Sequence, residues 1–493
     1  PQDDLVSTVK RCYPKYRIGP GPASARNALV ILASRQYASW LQDEKFMSAL
    51  VEPFAPEYDA KSGQEQEQRQ LHVLAAAVDG LHPLRPFGKI PHGFSFCHGE
   101  KRTIMQKLWD EGQPESSQDS KLEAAITFHL KSNSPEIPGR ETCTFPLANT
   151  IFQNGLQSTL LASCWVRPDR GAVPDLVRLV EKRAQDVNCM SATRKGMGNV
   201  LAPYVPMTPP RKILTGLGNI VRQVEINGKE APASGELEVA VHELFDRRKR
   251  EGHEFPPGPV GVWALVVPPG SSQAVTVEQL QHMYETSKIA STTAKAEWEC
   301  AQKWRGLGSF LQGRGARVYK ILSGGGGWGK KQGLLSLDPE TKYPPSEQDD
   351  LETFIHSFAG QHDGNAPEAV VAPGSYIQYF VTPPDSAKPR ELTKVGVPYT
   401  SFDIAFGVSE STLGESTPLV EGMSSLTQGQ SPWSFVPLHF GAVTSRGLFL
   451  RSRSKQETTA KVTDSKLDVP GSMVGFMRPK SEAHDDVGSL DLE

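Results

Sequence analysis

The stretch "TVEQLQHMYETSKIASTTAKAEWECAQKW" (Thr276–Trp304) is followed closely by "RVYKIL" (Arg317–Leu322), which sets a long helical pattern beside a strand pattern. The first part is the longest helical stretch of the chain. Thr276 and Gln279 have the spacing of a capping box, and the serine and threonine residues around Ser291 mark a point where this helix can divide in two. A helix and a strand this close together predict a fold that mixes both elements.

Further strand patterns lie on both sides of this stretch. The quoted runs are "RNALVILAS", "LHVLAAAVDG", "SYIQYFVTPP", "TSFDIAFGV", "SFVPLHFGAV" and "GLFLRSR". Two Asn-Gly pairs follow strand-like runs, at Asn154-Gly155 and at Asn227-Gly228. Because both central residues of a type I′ turn need positive φ, each pair predicts a β-hairpin.

Two more segments have helical periodicity. "SWLQDEKFMSALVE" predicts an amphipathic helix that buries Leu41, Phe46 and Leu50. "VPDLVRLVEKRAQD" predicts a second helix, with Pro174 near its first turn and with Leu176, Leu179 and Val180 on one face. Helices and strands alternate without a regular βαβ rhythm, so the predicted class is α+β: a mixed, strand-rich, multi-domain protein with hairpins and several amphipathic helices.

Length and composition set the number of domains. A chain of 493 residues is too long for one typical core, and 83 of them are glycine (44) or proline (39), which favours many turns. Composition shifts predict an N-terminal α/β region at 1–110, a hairpin-containing α+β domain at 121–270, and a long helix with a basic glycine-rich loop at 271–340. A strand-rich region at 351–453 and a mobile polar tail at 454–493 follow.

The segment "SGGGGWGKKQG" (Ser323–Gly333) lies inside an unusually basic window. From Ala301 to Leu337 there are seven basic residues and no acidic one, although the whole chain has a net charge of −3. Glycine lets backbone N–H groups approach an anion, lysine and arginine neutralise phosphates, and aromatic rings stack on unpaired bases. The predicted phosphate or nucleic-acid contacts are Arg305, Arg314, Arg317, Lys320, Gly324, Gly329, Lys330 and Lys331, with Trp304 and Trp328 as stacking or anchoring residues. A solvated loop whose tryptophans pack on a neighbouring sheet is the alternative.

Gly324, Gly329 and Lys330 also satisfy the G-x-x-x-x-G-K spacing of a P-loop. Lys331 stands where the Mg²⁺-ligating hydroxyl belongs, and Gly333 and Pro339 leave little room for the helix that should follow. The spacing therefore argues against a nucleotide P-loop and leaves a phosphorylated ligand as an alternative.

Catalytic and metal-binding patterns are weak. Cys97 and His98 are neighbours on a strand pattern, so their side chains should point to opposite faces. We predict no catalytic residue, metal site or cofactor. The six scattered cysteines favour reduced thiols and an intracellular location, and no apolar run has the length of a membrane span. A chain that starts at Pro1 fits a precursor trimmed after import, which leaves the mitochondrial matrix open beside the cytoplasm.

We therefore expect a non-enzymatic factor that binds RNA or a ribonucleoprotein particle, for example in mitochondrial gene expression. One alternative is an enzyme or sensor that holds a phosphorylated ligand through the Gly324–Lys330 loop. Another is a scaffold or assembly subunit of a protein complex. Because ordering glycine has a high entropic cost, we also expect Gly324–Gly329 to be mobile in the free protein and to become ordered on an anionic partner.

Overall fold

The computed structural model describes residues 2–16, 26–56, 70–83, 88–110, 124–131, 140–168, 172–190, 197–252, 261–270, 273–290, 293–306, 315–324, 333–343, 370–384, 402–410, 433–454 and 461–477. Its α-helices in these residues are α1 (Gln2–Cys12), α2 (Glu44–Val51), α3 (Lys101–Ile104), α4 (Ile151–Asn154), α5 (Ala233–Arg250), α6 (Gln273–Ala290) and α7 (Ala294–Trp304). Short 3-10 helices cover Tyr13–Tyr16, Arg35–Gln42 and Glu52–Phe54.

The strands outnumber the helices. Those of the first half are β1 (Ala28–Ser34), β2 (Gln70–Val78), β3 (Gly80–Leu81), β4 (Phe94–Gly99), β5 (Ala125–Lys131), β6 (Arg140–Pro146), β7 (Leu160–Val166), β8 (Asp175–Glu181), β9 (Ala184–Met190), β10 (Met197–Leu201), β11 (Val205–Pro206), β12 (Arg211–Leu217), β13 (Ile220–Ile226) and β14 (Lys229–Pro232). Those of the second half are β15 (Trp263–Val267), β16 (Arg317–Gly324), β17 (Leu335–Leu337), β18 (Tyr376–Val381), β19 (Phe402–Val408), β20 (Phe440–Thr444), β21 (Leu448–Ser454), β22 (Lys461–Leu467) and β23 (Met473–Met477).

The chain divides into two units, and neither is a continuous segment. Unit 1 contains Pro1–Gly198, Tyr399–Leu448 and Gly475–Glu493, and unit 2 contains Asn199–Pro398 and Phe449–Val474. Residues far apart in the sequence therefore complete each unit.

Unit 1 is built on a mixed five-stranded sheet with the order β4-β1-β2-β7-β8. Strands β1 and β2 are parallel, whereas β4, β7 and β8 each run antiparallel to their neighbours. One face of this sheet carries Leu29, Ile31 and Val73, which pack against α1, α2 and the 3-10 segments in one hydrophobic cluster. Because both faces are covered, β1 and β2 read as nearly continuous apolar runs.

Two smaller groups of strands complete the core of unit 1. Strands β9, β5 and β6 pair side by side, and β19 pairs in parallel with β20, which is joined by β3. Phe128 of β5 stacks on Phe406 of β19 with ring centroids 3.9 Å apart. The core of unit 1 therefore combines residues from the beginning and from the end of the chain.

Unit 2 contains a closed barrel of six antiparallel strands in the order β18-β12-β13-β17-β16-β15, with β15 pairing back to β18. Strand β15 shows how both surfaces of the barrel wall are apolar. Ala264 and Val266 belong to one buried cluster, and Trp263, Leu265 and Val267 belong to another that includes residues of α6. Helix α5 adds Ala233 and Leu237 to the first cluster.

The predicted α+β, strand-rich class is confirmed. All the quoted strand patterns form strands, and the long helical stretch divides into α6 and α7. The capping box predicted at Thr276 is wrong, because α6 begins at Gln273 and Thr276 lies inside it, whereas Thr293 is the N-cap of α7. The turn at Asn227-Gly228 joins β13 to β14, with φ of 53° and 74° at its two residues, as a type I′ hairpin requires. "SWLQDEKFMSALVE" divides at Asp43, whose carboxylate caps α2.

The hairpin predicted at Asn154-Gly155 is wrong. Ile151–Asn154 forms the short helix α4, and Gly155 ends it with φ of 80°. The Asn154 side chain donates to Thr159 Oγ1 (2.8 Å) and accepts from the backbone N–H of Leu156. Since a left-handed glycine also ends helices, the Asn-Gly pair by itself does not distinguish a hairpin from a helix C-cap.

The helix predicted at "VPDLVRLVEKRAQD" is also wrong. This segment forms β8 and β9, joined by a two-residue turn, and β8 pairs antiparallel with β7. Apolar residues at 176, 177, 179 and 180 fit a helical face and a strand with a bulge equally well. Pairing with the distant β7 decides between the two. The register shift between Cys164 and Trp165 makes Val177 the extra, bulged residue of β8.

Candidate functional site

The basic window of the sequence is only partly described. Arg314, Trp328, Gly329, Lys330 and Lys331 lie outside the described residues. Trp304 ends α7, Arg305 follows it, and Arg317, Lys320 and Gly324 belong to β16. All of the described members belong to unit 2.

The described members of the window do not form one surface. Arg317 and Lys320 lie on opposite faces of β16, because residues an odd number apart alternate along a strand. Lys320 is close enough to Asp468 to affect its pKa, so the acid-free window meets a carboxylate in the fold. Trp304 is partly buried, with Lys303 Nζ 5.3 Å from its ring centroid. The described members of the window therefore supply no shared phosphate-binding surface.

The residues after the glycine-rich segment form a strand rather than a helix. Gly333 has φ of 84° and is followed by β17, which pairs antiparallel with β16. A P-loop needs a helix N-terminus at this position to face the phosphate. Among the described residues on either side of 325–332, β16 precedes and β17 follows, so the helix that a nucleotide P-loop needs does not continue past Gly333.

The last turn of α5 is basic, and two of its arginines have a specific partner. Arg247 Nη2 and Arg248 Nη2 each lie 2.5 Å from an oxygen of the Glu297 carboxylate on α7. Arg248 also donates to the carbonyl oxygen of Thr382 (2.8 Å). Both Glu297 and Arg248 are buried, so this cluster joins α5 to α7 and has a structural role.

A histidine and a cysteine face each other in unit 1 without forming a reactive pair. His72 of β2 is directly opposite Cys164 of β7. The Trp109 indole donates to His72 Nδ1 (3.0 Å), so neutral His72 carries its proton on Nε2 and has no lone pair left to act as a base. Burial, followed by the charge of Lys101, lowers the pKa of His72 to about 4, and burial raises the pKa of Cys164 to about 11. Both groups are neutral at pH 7, which rules out a thiolate–imidazolium nucleophile here.

The pair Cys97 and His98 behaves as its sequence position predicts. Cys97 is opposite Val30 and His98 is opposite Leu29, so the two side chains lie on different faces of the sheet. His98 is hydrogen-bonded through Nδ1 to the Tyr13 hydroxyl. Among the described residues, no group of three or more histidine, cysteine or acidic side chains is arranged to hold a metal ion.

Within the described part of the chain, the edge strand β8 departs from an ordinary protein surface. It is the last strand of its sheet, and no described strand pairs with its outer edge. Six of its seven residues are exposed, including Val177 (63% exposed) and Leu179 (52%). Natural proteins usually protect edge strands with charges, proline or short length, because unpaired N–H and C=O groups invite another strand. Four of the seven residues of β8 are apolar and three are charged, and we call this strand, as a candidate protein-docking surface, the β8 edge (Asp175–Glu181).

A second exposed apolar group lies at the same end of the sheet as the carboxyl end of β8. The backbone N–H of Lys182, just after β8, donates to the carbonyl of Leu160 at the start of β7. Helix α4 precedes β7, and its Asn154 is held to Thr159. Phe152 on this helix is 96% exposed, which is rare for a phenylalanine.

The β8 edge was missed at the sequence level because its apolar residues were assigned to the buried face of a helix. The position of Arg178 could not be predicted from nearby residues either. Its guanidinium lies 4.5 Å from the centroid of the Trp109 ring, and Trp109 is distant in the sequence. Exposure of Val177 and Leu179 follows from the order of the strands, and that order depends on contacts between distant segments.

Comparisons with known proteins add no assignment: no protein-family model, curated protein or solved structure matches this chain. Within the described part of the chain, no helix is both long enough and apolar enough to cross a membrane.

Proposed function

We propose that this chain is a non-enzymatic assembly subunit that docks a protein partner along the β8 edge. The observation that supports this proposal is the exposure of valine and leucine side chains on a strand whose outer edge has no described partner. An extended segment that adds a strand gains main-chain hydrogen bonds along the edge and buries alternate side chains.

The charges of β8 favour a partner of different sequence over a second copy. If two copies paired antiparallel along the full strand, the two-fold axis would pass Arg178 and place the two arginines opposite each other. The same register would place Asp175 of one copy opposite Glu181 of the other. Like charges directly opposite destabilise a sheet. A complementary partner carries an acidic residue opposite Arg178 and basic residues opposite Asp175 and Glu181.

The test is capture of partners from nuclease-treated lysate by the full chain, compared between two matched double variants. Val177→Lys with Leu179→Lys places charges on the β8 edge. Val239→Lys with Leu322→Lys changes side chains of similar exposure (59% and 57%) in unit 2. We expect a protein that binds the wild type and the unit 2 variant and is lost from the β8 variant. A photo-crosslinker at position 177 should label the same protein.

Two results would contradict the proposal. Identical captured proteins for both variants would show that the β8 edge is not the docking surface. A wild-type dimer in sedimentation that becomes a monomer in the β8 variant would show that a second copy occupies the edge.

RNA binding is a second proposal, supported by the seven basic residues and the absence of acidic ones between Ala301 and Leu337. Filter binding of single-stranded RNA to the full chain over a salt series tests it. We expect Lys330→Glu with Lys331→Glu to weaken binding at least tenfold and to flatten the salt dependence, as the loss of two phosphate contacts requires. The exposed pair Lys212→Glu with Lys229→Glu, outside the window, is the control. Equal weakening by the two double variants, or no binding at low salt, would reject it.

We further propose a reducing intracellular compartment, either the cytoplasm or the mitochondrial matrix. All six cysteines are free thiols, which supports this location. Fractionation of cells that express the tagged protein distinguishes the two compartments.

A further inference from the structure

The hydrogen bonds of β7 determine which main-chain groups of β8 face inward. The backbone N–H of Lys182 donates to the carbonyl of Leu160 (2.8 Å), and these two residues continue the antiparallel register of β8 with β7. The preceding residue, Thr159, instead accepts from the backbone N–H of Ala77 at the end of β2 (3.0 Å). Successive residues of β7 therefore bond alternately to β8 and to β2, as an antiparallel ladder requires.

The same alternation identifies the outward groups of β8. Val180 is opposite Ala162 and, two residues from Lys182, bonds β7 as Lys182 does. The main-chain N–H and C=O groups of Leu179 and Glu181 consequently point away from β7. In the described part of the chain, no strand lies on that side to pair with them.

The open part of this edge is short. On its carboxyl side, the carbonyl of Arg183 already accepts the backbone N–H of Ala125, the first residue of β5 (2.9 Å). On its amino side, Pro174 has no N–H, and its carbonyl accepts from the Ser48 hydroxyl of α2 (2.5 Å). The bulge at Val177 also interrupts the ladder. An edge of this length suits a short extended peptide better than the edge strand of another sheet.

The surroundings of Leu179 indicate which side chain such a peptide would carry. Leu179 is opposite Ser163 of β7. The neighbours of Ser163 on the same face, Leu161 and Trp165, belong to the hydrophobic cluster under α1 and α2. Leu176 also packs against this cluster, whereas Leu179 is 52% exposed. An apolar side chain beside Leu179 on an added strand would cover this leucine and extend the cluster.

We propose that the partner docks as a short extended peptide segment of a protein. Its backbone bonds the outward main-chain groups of Leu179 and Glu181, and one of its apolar side chains packs beside Leu179. This inference rests on the proposed function, because it states what kind of partner segment the β8 edge binds. A folded surface that only covers the exposed side chains is a different occupant, and the test distinguishes the two.

The experiment compares variants that differ in one main-chain donor. Leu179→Pro removes an outward N–H, and a proline on that side of an edge strand is compatible with the sheet. Leu179→Ala also loses the leucine side chain but keeps the N–H. The protein labelled through position 177 is purified, the segment that carries the label is synthesised as a peptide, and calorimetry measures the binding of each to the full chain. We expect Leu179→Pro to bind both about tenfold more weakly than Leu179→Ala, because a peptide carbonyl loses its donor.

A second pair of variants checks the folding and the geometry. The N–H of Val180 bonds β7, so Val180→Pro should lower the midpoint of urea unfolding clearly, whereas Leu179→Pro should lower it little more than Leu179→Ala does. If Leu179→Pro fails to fold, Glu181→Pro compared with Glu181→Ala decides, because the Glu181 N–H also points outward.

The outcomes separate this inference from the proposed function. Equal affinities of Leu179→Pro and Leu179→Ala, together with loss of binding by Val177→Lys with Leu179→Lys, would keep docking at the β8 edge and overturn strand addition. Binding of the purified protein without binding of its peptide would overturn the short segment. Slow hydrogen exchange of the Leu179 and Glu181 amides in the free chain would overturn it too, because the chain itself would then pair with the edge. Absence of any labelled protein would reject both proposals.

Discussion

Removal of the Glu297 carboxylate should cause one of the largest losses of stability available in unit 2. Glu297 is fully buried and lies 2.5 Å from one nitrogen each of Arg247 and Arg248. Arg247 is partly exposed and can turn to water, whereas the Arg248 side chain is only 5% exposed. Breaking a buried ion pair on one side leaves an uncompensated charge and costs about 3–5 kcal/mol. We expect this loss for Glu297→Ala.

Two further variants separate the charge from the packing. Glu297→Gln keeps the shape and one acceptor oxygen, and we expect a loss of about 1.5–3 kcal/mol, the value of a hydrogen bond to a charged group. Glu297→Leu with Arg248→Met removes both buried charges. Because apolar replacements of a buried pair are often neutral or stabilising, the double variant should lose less than Glu297→Ala alone.

Hydrogen exchange under increasing urea measures the effect, since peptides from α5 and α7 report the opening of unit 2 separately from unit 1. The control is Arg451→Gln, which breaks an exposed pair with Asp464 and should change stability by less than about 1 kcal/mol. A Glu297→Ala loss no greater than that of the control would refute the reasoning. So would a loss that disappears in high salt, because buried pairs are screened little.

Three further predictions concern unit 1. The pKa of His72 in the folded protein, about 4, lies below the ordinary 6.5, so the unfolded chain binds the proton first as the pH falls. The free energy of unfolding should therefore fall by about 3 kcal/mol between pH 6.5 and 4. Urea titrations at each pH should show a shallower decline for His72→Gln. A Cβ at Gly441 would lie 1.9 Å from the carbonyl oxygen of Ala405, so Gly441→Ala should cost about 1–3 kcal/mol, and an unchanged melting temperature would disprove the close approach. Cys164, with a pKa of about 11, should react with iodoacetamide at pH 7.5 far more slowly than free cysteine, as mass spectrometry of the labelled peptide would report.

Local patterns predict the elements of this fold where one periodicity is dominant. The runs at β1, β2 and β18 are buried on both faces, and their short, nearly continuous apolar sequences indicate strands. Asn227-Gly228 is a hairpin turn because the strands on both sides of it also pair.

Distant partners decide the remaining elements. Strand β8 has the apolar spacing of a helix, and only its pairing with β7 makes it an edge strand. The Glu297 cluster has no local signal, because Arg248 and its acid are 49 residues apart. The hydrogen bonds from Ser445 to Asp79 likewise need the return of β20 from the end of the chain. In the predicted basic window, Arg317 and Lys320 lie on opposite faces of β16. The anion-binding roles predicted for the window stay predictions.

The interrupted course of unit 1 has a consequence for synthesis on the ribosome. Strands β19 and β20, within Tyr399–Leu448, are synthesised only after residues 199–398 of unit 2. Until then Phe128 lacks Phe406, its stacking partner, and the apolar surface prepared for β19 and β20 stays open to water. The nascent chain must therefore hold an incomplete core while residues 199–398 are translated, which is the period when chaperones bind such surfaces and when a stalled or truncated product aggregates.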